Sequence, residues 1–199
     1  MYIIKKIDKK ITSISDKAWD IANIAEVNIK NWEQYDYIPN TIAKILYSDY
    51  GLHVQMQTDE KPLLARYTNQ NEPVNTDSCM EFFIRPNEND DRYLNFEFNA
   101  FGTMYLAVRT NRYDPVHPDK NKEYFEVKSY VDDKKWIHQF MIPFEFIDEI
   151  YGSYTKTMYG NLYKCGDETE REHYASYYPL DPNAVDFHKS EYFGEFILE

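Results

Sequence analysis

The chain has 199 residues, 43% of them hydrophobic, which suits one domain with a sizeable core. Lys and Arg total 22 against 34 Asp and Glu, and the net charge of −12 repels phosphate backbones and anionic membrane surfaces, so neither nucleic acid nor a membrane is an expected partner. Aromatic residues are unusually frequent, with 19 Tyr and 12 Phe beside only 6 Gly; Tyr joins an apolar ring to a polar tip, which suits strands and half-wet binding surfaces.

In chain order, residues 1–14 read as an extended leader whose cluster Lys5, Lys6, Lys9 and Lys10 solvates a loose end. MYIIKKIDKK has no apolar run long enough for a signal peptide, and no 18 apolar residues occur together, so the expected location is cytoplasmic, or secreted if a leader has been removed. SDKAWDIANIAEV is a short helical or irregular piece with Ser15 or Asp16 as N-cap and Trp19 as a core anchor. TIAKILYS and GLHVQMQT flank the turn SDYG as a first hairpin, in which parity puts His53 on the solvent face. DSCMEFFIRP, YLNFEFNA and TMYLAVRT follow as strands around the turn NENDDR and the break at Phe101-Gly102. YFEVKSYV and KKWIHQFMI are further strands, and PFEFIDEIYG is a short helix or a corner. The last 40 residues are rich in Tyr, His and Asp and irregular until EFILE closes the chain as a strand. Closely spaced strands without a long amphipathic helix predict an all-β fold, a β-sandwich over residues 15–199, with a long irregular Tyr-rich C-terminal segment. Cys79 and Cys165 lack zinc spacing and are expected as reduced structural thiols.

The polar face of YLNFEFNA carries Asn95, Glu97 and Asn99, an odd choice for a merely solvated strand. If the Phe rows of this strand and DSCMEFFIRP share one core, paired residue numbers must sum to an even number. The register that sets Ile84 opposite Leu94 puts Glu81 opposite Glu97, Phe83 opposite Asn95 and Cys79 opposite Asn99. Directly opposed like charges cost up to roughly 1 kcal/mol, so something must offset them. Arg109, beside Tyr105 on the next strand, is the simplest compensation, in an ordinary salt-bridged face. Two functional readings compete with that one. Carboxylates and amides accept sugar hydroxyl protons while rings stack on C–H faces, which suits carbohydrate binding. Alternatively, the Glu81/Glu97 pair could act as acid and base in glycoside hydrolysis, which uses separations of roughly 5–9 Å.

The succession DSCMEFFIRP, YLNFEFNAFGTMYLAV, IPFEFI, GNLYKCGDE, EHYASYYPL and DFHKSEYFGEFILE resembles the DOMON-like β-sandwich proteins grouped with carbohydrate-binding module family nine, over about residues 15 to 199. The resemblance implies a two-sheet antiparallel β-sandwich, jelly-roll-like, that binds an oligosaccharide or polysaccharide chain end through ring stacking and polar contacts, without catalysis and with structural calcium in characterised modules. Glu81 falls on the acidic position of the motif D-S-x-x-E-F-F, and Asn161 is similar to a late asparagine of the family. The family's clamp uses a tryptophan just before that strand, where this chain has Pro73-Val74-Asn75-Thr76. Tyr163, Tyr174, Tyr177 or Tyr178 could replace the ring, and the simpler account of them is as buried tyrosines that pack the long C-terminal segment. Calcium is possible at Asn87, Glu88, Asn89, Asp90 and Asp91, for which a solvated turn is the simpler account. His173 and His188 read as hydrogen-bonded structural histidines. Relatives that bind haem raise Met80, Met104, His138 and His173 as axial ligands, but parity puts both methionines in the core.

Overall fold

In the computed structural model, which describes residues 1–199, twelve strands form one continuous curled sheet folded into two facing layers. They are β1 (Tyr2–Lys6), β2 (Ala25–Glu26), β3 (Thr41–Ser48), β4 (Gly51–Thr58), β5 (Cys79–Arg85), β6 (Tyr93–Asn99), β7 (Met104–Arg109), β8 (Lys128–Val131), β9 (Trp136–Pro143), β10 (Thr157–Gly166), β11 (His173–Ser176) and β12 (Gly194–Leu198). A single α-helix, α1 (Phe144–Tyr151), follows β9 and ends at Gly152, whose φ of 76° is the left-handed cap that glycine accepts without strain. The spatial order is β7-β6-β5-β10-β12-β1-β3-β4-β9-β8, with β11 added to β10 and β2 to β3. All pairings are antiparallel except those of β1, which runs parallel to β12 through residues 2–4 and to β3 through residues 5–6, and so joins the two layers.

The expected leader is therefore part of the fold. Tyr2 and Ile4 are buried, and the four lysines are held locally: Lys5 donates to the Ile21 carbonyl, while Lys6, Lys9 and Lys10 pair with Asp49, Asp16 and Glu126. Beyond β1 the chain crosses the outer face of the β3-β4-β9 layer, where Ile7, Ile11 and Trp19 pack on Leu46. Asp16, rather than Ser15, caps the short 3-10 helix Lys17–Ile21 by accepting from the Ala18 N–H. This cover overturns the solvent-face placement of His53. Its ring is buried and meets the Ser48 hydroxyl at 2.9 Å, and burial lowers its pKa to about 4. Parity assigned His53 to the face opposite the main core correctly; it could not show that a distant segment covers that face as well.

Between the layers lies the main core. Phe96 and Phe98 of one layer meet Phe140 of the other at ring separations of 5.3 and 4.7 Å, and Met80, Phe82, Ile84, Leu94, Met104 and Leu106 fill the same interior. The C-terminal region is less irregular than expected. Thr157–Gly166 is a ten-residue strand in the middle of its layer, and apart from the turn at residues 167–172 the stretch without strands is about residues 177–193, with one 3-10 turn at Ser190–Tyr192. β10 does not read clearly as a strand because both of its faces are buried, so polar Asn161 and Lys164 sit where exposure would otherwise mark an alternation.

Candidate functional site

The expected register is the observed one: Ile84 pairs with Leu94, Phe83 with Asn95, Glu81 with Glu97 and Cys79 with Asn99. Neighbouring strands extend each row across the outer face of the layer. One row runs Tyr105, Glu97, Glu81, Tyr163 and Ser176, and another runs Asn99, Cys79, Cys165 and Tyr174. Period-two geometry thus puts two carboxyls and two thiols side by side on adjoining strands.

Above these rows is a recess of about 380 Å³, within the roughly 300–1,000 Å³ of small-molecule sites. Glu81, Glu97 and Cys165 lie on its strand side. Tyr105, Arg109 and Arg112 border it from β7 and the loop that follows, and Tyr174 and Asp167 from the β10–β11 hairpin. The segment before β5 contributes Pro73 and Asn75, and the C-terminal segment contributes Asp186, Phe187 and His188. Arg112 holds that segment in place through Asp186 at 3.3 Å.

The polar groups are ordered by a chain of bonds. The Arg109 guanidinium donates to Asn95 Oδ1 at 2.8 Å, to the Tyr105 hydroxyl at 2.6 Å and to the Arg112 carbonyl at 2.6 Å. Asn95 in turn donates to Glu97 Oε1 at 2.9 Å, and the Cys165 thiol donates to Glu81 Oε1 at 2.9 Å. Each carboxyl therefore has one oxygen fixed from the side and can turn the other to the recess. Burial raises both acids: Glu97 goes to about 7, and Glu81 rises well above the usual carboxyl range, with the neighbouring Glu97 charge adding to the effect. His188 is held neutral, lowered to about 3 chiefly by burial, and its Nδ1 meets the Tyr93 hydroxyl at 2.9 Å.

The residues singled out from the sequence separate into two groups. Glu81, Glu97, Arg109 and Tyr174 line the recess, and Asn95 lies just behind it as the link between Arg109 and Glu97. The others are occupied elsewhere. Asn99 donates to the Tyr67 carbonyl and Asp77 and accepts from two backbone N–H groups, and Asn161 exchanges both of its amide bonds with the Tyr178 backbone. Tyr163 is fully buried, stacked on Phe187 at 4.2 Å with its hydroxyl on the Phe187 carbonyl. The Tyr178 ring lies against Gly194, where an added Cβ would come within 2.5 Å of it, and Tyr177 packs beside it on Tyr2 and Phe196. Arg112, Asp167, Asp186 and Phe187 come to the recess from irregular segments whose sequence carries no periodic signal.

Directly behind the strand rows, Lys164 and Glu60 form a buried ion pair at 2.7 Å, and Lys164 also donates to the carbonyls of Cys165 and Cys79. The loop raised for calcium does not fit a cation. Asp90 binds Arg92 through both oxygens, Asn87 turns its amide to Ser153, and Asp91 points into solvent. Met80 and Met104 belong to the inner core, and His138 is enclosed by Phe98, Trp136 and Phe140. No helix is long and apolar enough to cross a membrane.

The sequence model for carbohydrate-binding family 9 matches residues 13–198. In structure the chain is similar to a Bacteroides uniformis protein solved as a candidate carbohydrate binder, which is 25% identical with a TM-score of 0.85 over 99% of this chain and 98% of that one. Two structures of a carbohydrate binding module family 9 from Caldicellulosiruptor kristjanssonii, one in complex with glucose and one with cellotriose, align with a TM-score of 0.69 at 12% and 13% identity. They cover 99% and 100% of this chain and 94% and 93% of their own. No curated protein matches the chain.

Proposed function

The chain belongs to carbohydrate-binding family 9, and from that premise we propose that the recess beside β5 and β6 receives the terminal unit of an oligosaccharide or polysaccharide and holds it without cleavage. The observation that carries this reading is the pair Glu81 and Glu97, opposed across two strands and both open to a recess bordered by the rings of Tyr105, Tyr174 and Phe187. Sugar hydroxyls donate to carboxylate oxygens, and a carboxyl near its titration point can also donate, so the pair meets a polyhydroxylated ligand in either role. Tyr174, part-exposed at the recess, supplies flat apolar surface for C–H faces in a chain that has Pro73 to Thr76 where the family's tryptophan stands.

Hydrolysis is less well supported by the same geometry. A glycosidase sets its two carboxyls on either side of the scissile bond, whereas Glu81 and Glu97 are neighbours in one row on one side of the recess.

Calorimetric titration with glucose, cellotriose and a panel of other oligosaccharides tests the proposal, because the related modules were solved with those two sugars. Glu81→Gln is expected to weaken the best ligand by about fivefold, the effect of losing an ordinary hydrogen bond, with no product formed by either protein. Ligand binding unchanged in Glu81→Gln, or turnover abolished by Glu81→Gln while the ligand still binds, would overturn it.

A further inference from the structure

The strand side of the recess carries a second, chemically distinct set of donors. Cys79 and Cys165 are directly opposed across β5 and β10, both are free thiols, and Glu81 lies two residues along β5 from Cys79 on the same face. A sulfur from each cysteine and an oxygen from Glu81 lie within 4.8 Å of one another. Two of these three groups, Cys165 and Glu81, also line the recess, so an ion entering from it would meet the donors directly.

We propose that Cys79, Cys165 and Glu81 form a binding site for a thiophilic divalent cation of the zinc class, with a fourth coordination position open to the recess. The donor set points to that class. Two sulfurs and one carboxylate oxygen suit zinc, whereas calcium and magnesium take oxygen ligands in larger number. In a tetrahedral site with Zn–S near 2.3 Å and Zn–O near 2.0–2.2 Å, neighbouring donors are about 3.5–3.8 Å apart, so shifts of about an ångström would close the observed cluster on an ion.

Two further features favour a cation here. Glu81 has no basic partner: its one hydrogen bond comes from the Cys165 thiol, its nearest acidic neighbour across the strand is Glu97, and Asp167 adds a third carboxyl to the recess. The nearby basic groups are already committed, Lys164 to Glu60 behind the strands and Arg109 to Asn95 and Tyr105. Lys164 also holds the backbone carbonyls of both cysteines, at 3.0 and 2.7 Å, which fixes the two strand segments from which the sulfurs project. Cation binding converts both thiols to thiolates and holds Glu81 as the carboxylate, and the protons these three groups carried pass to solvent; no oxidant takes part. The site does not depend on a sugar being bound.

The test is titration of the full chain, kept reduced, with cobalt(II), followed by displacement with zinc. One equivalent of cobalt is expected to produce a sulfur-to-cobalt charge-transfer band in the near ultraviolet and strong four-coordinate ligand-field bands in the visible, both erased by one equivalent of zinc. Cys165→Ser should weaken cobalt binding by about a hundredfold or more, a larger loss than the ten- to hundredfold typical of outer partners, and Glu81→Gln should weaken it while leaving the sulfur band in place. Thermal unfolding without metal checks that each variant is folded, and Cys79→Ser serves as the second thiol variant if Cys165→Ser is not. The proposal is overturned if the reduced protein gives no thiolate-to-cobalt band, if the band survives both cysteine variants, or if the two thiols instead close to a disulfide and the re-reduced protein still binds no cobalt.

Discussion

The two faces of the β5-β6-β7 layer are built from the same strands and differ only in parity, yet one is a core and the other a recess. The inner face carries Met80, Phe82, Ile84, Leu94, Phe96, Phe98 and Leu106 against the opposite layer, and needs nothing but volume to fill. The outer face carries Glu81, Asn95, Glu97 and Arg109, and is almost as deeply buried. Its burial comes from added cover: Trp32, Val74, Leu180 and Phe187 pack with Phe83, Tyr93 and Tyr163 in a second apolar cluster around the recess. Apolar packing therefore holds up both faces, but only the outer one opens to a recess, and there the loss of water shifts Glu81, Glu97 and Asp167 toward their neutral forms.

Substitutions on the two faces should separate stability from binding. The largest effect is expected inside. Phe96→Ala, which removes a ring packed on Phe98, Phe125 and Phe140, should cost about 3–5 kcal/mol in chemical denaturation. A loss below about 1 kcal/mol would mean that the layers are not joined through this ring.

The next effect concerns pH. Because Glu97 is raised from 4.5 to about 7 in the folded chain, the fold binds this proton more tightly than the unfolded chain does. The stability it contributes is complete below pH about 4.5 and is lost as the pH rises through about 7, on the order of 3 kcal/mol in all. Glu97→Gln should flatten that part of the stability profile; an unchanged slope would place the titration elsewhere.

Tyr174→Ala should lower sugar affinity by about 1 kcal/mol, roughly fivefold, if its ring stacks on the ligand, while stability falls less than for Phe96→Ala. Equal losses in both measurements would make the ring a packing element only. The smallest effect is expected at the rim. Arg112→Ala breaks a half-exposed pair with Asp186 and should change stability by less than about 1 kcal/mol, so any larger fall in affinity would come from loosening the segment that carries Phe187 and His188.

Much of this layer was legible beforehand because its signal is local. The register around Glu81 and Glu97 followed from parity and one turn, and Arg109 and Asn95 were found for the same reason. Asn99 and Asn161 had the right residue type on the right face, but their amides close loops, a use that depends on where Tyr67 and Tyr178 come to lie. Of the four tyrosines raised as replacements for the family's ring, only Tyr174 reaches the recess, because the C-terminal segment buries Tyr163 and sends Tyr177 and Tyr178 to the other side of the layer's edge. Cys79 and Cys165 looked unrelated across the intervening chain until β10 paired with β5.

The amino-acid sequence by itself determined the strands β3 to β9 and β12, the inward and outward sides of β4 to β7, the opposition of the two glutamates and membership of a sugar-binding family. Only the tertiary structure decided which outward sides were sealed, as at His53, which were left open, as at Glu81, and which distant residues share a row. Parity is a property of one strand and its turn; cover and adjacency depend on segments that meet only after the chain has closed on itself.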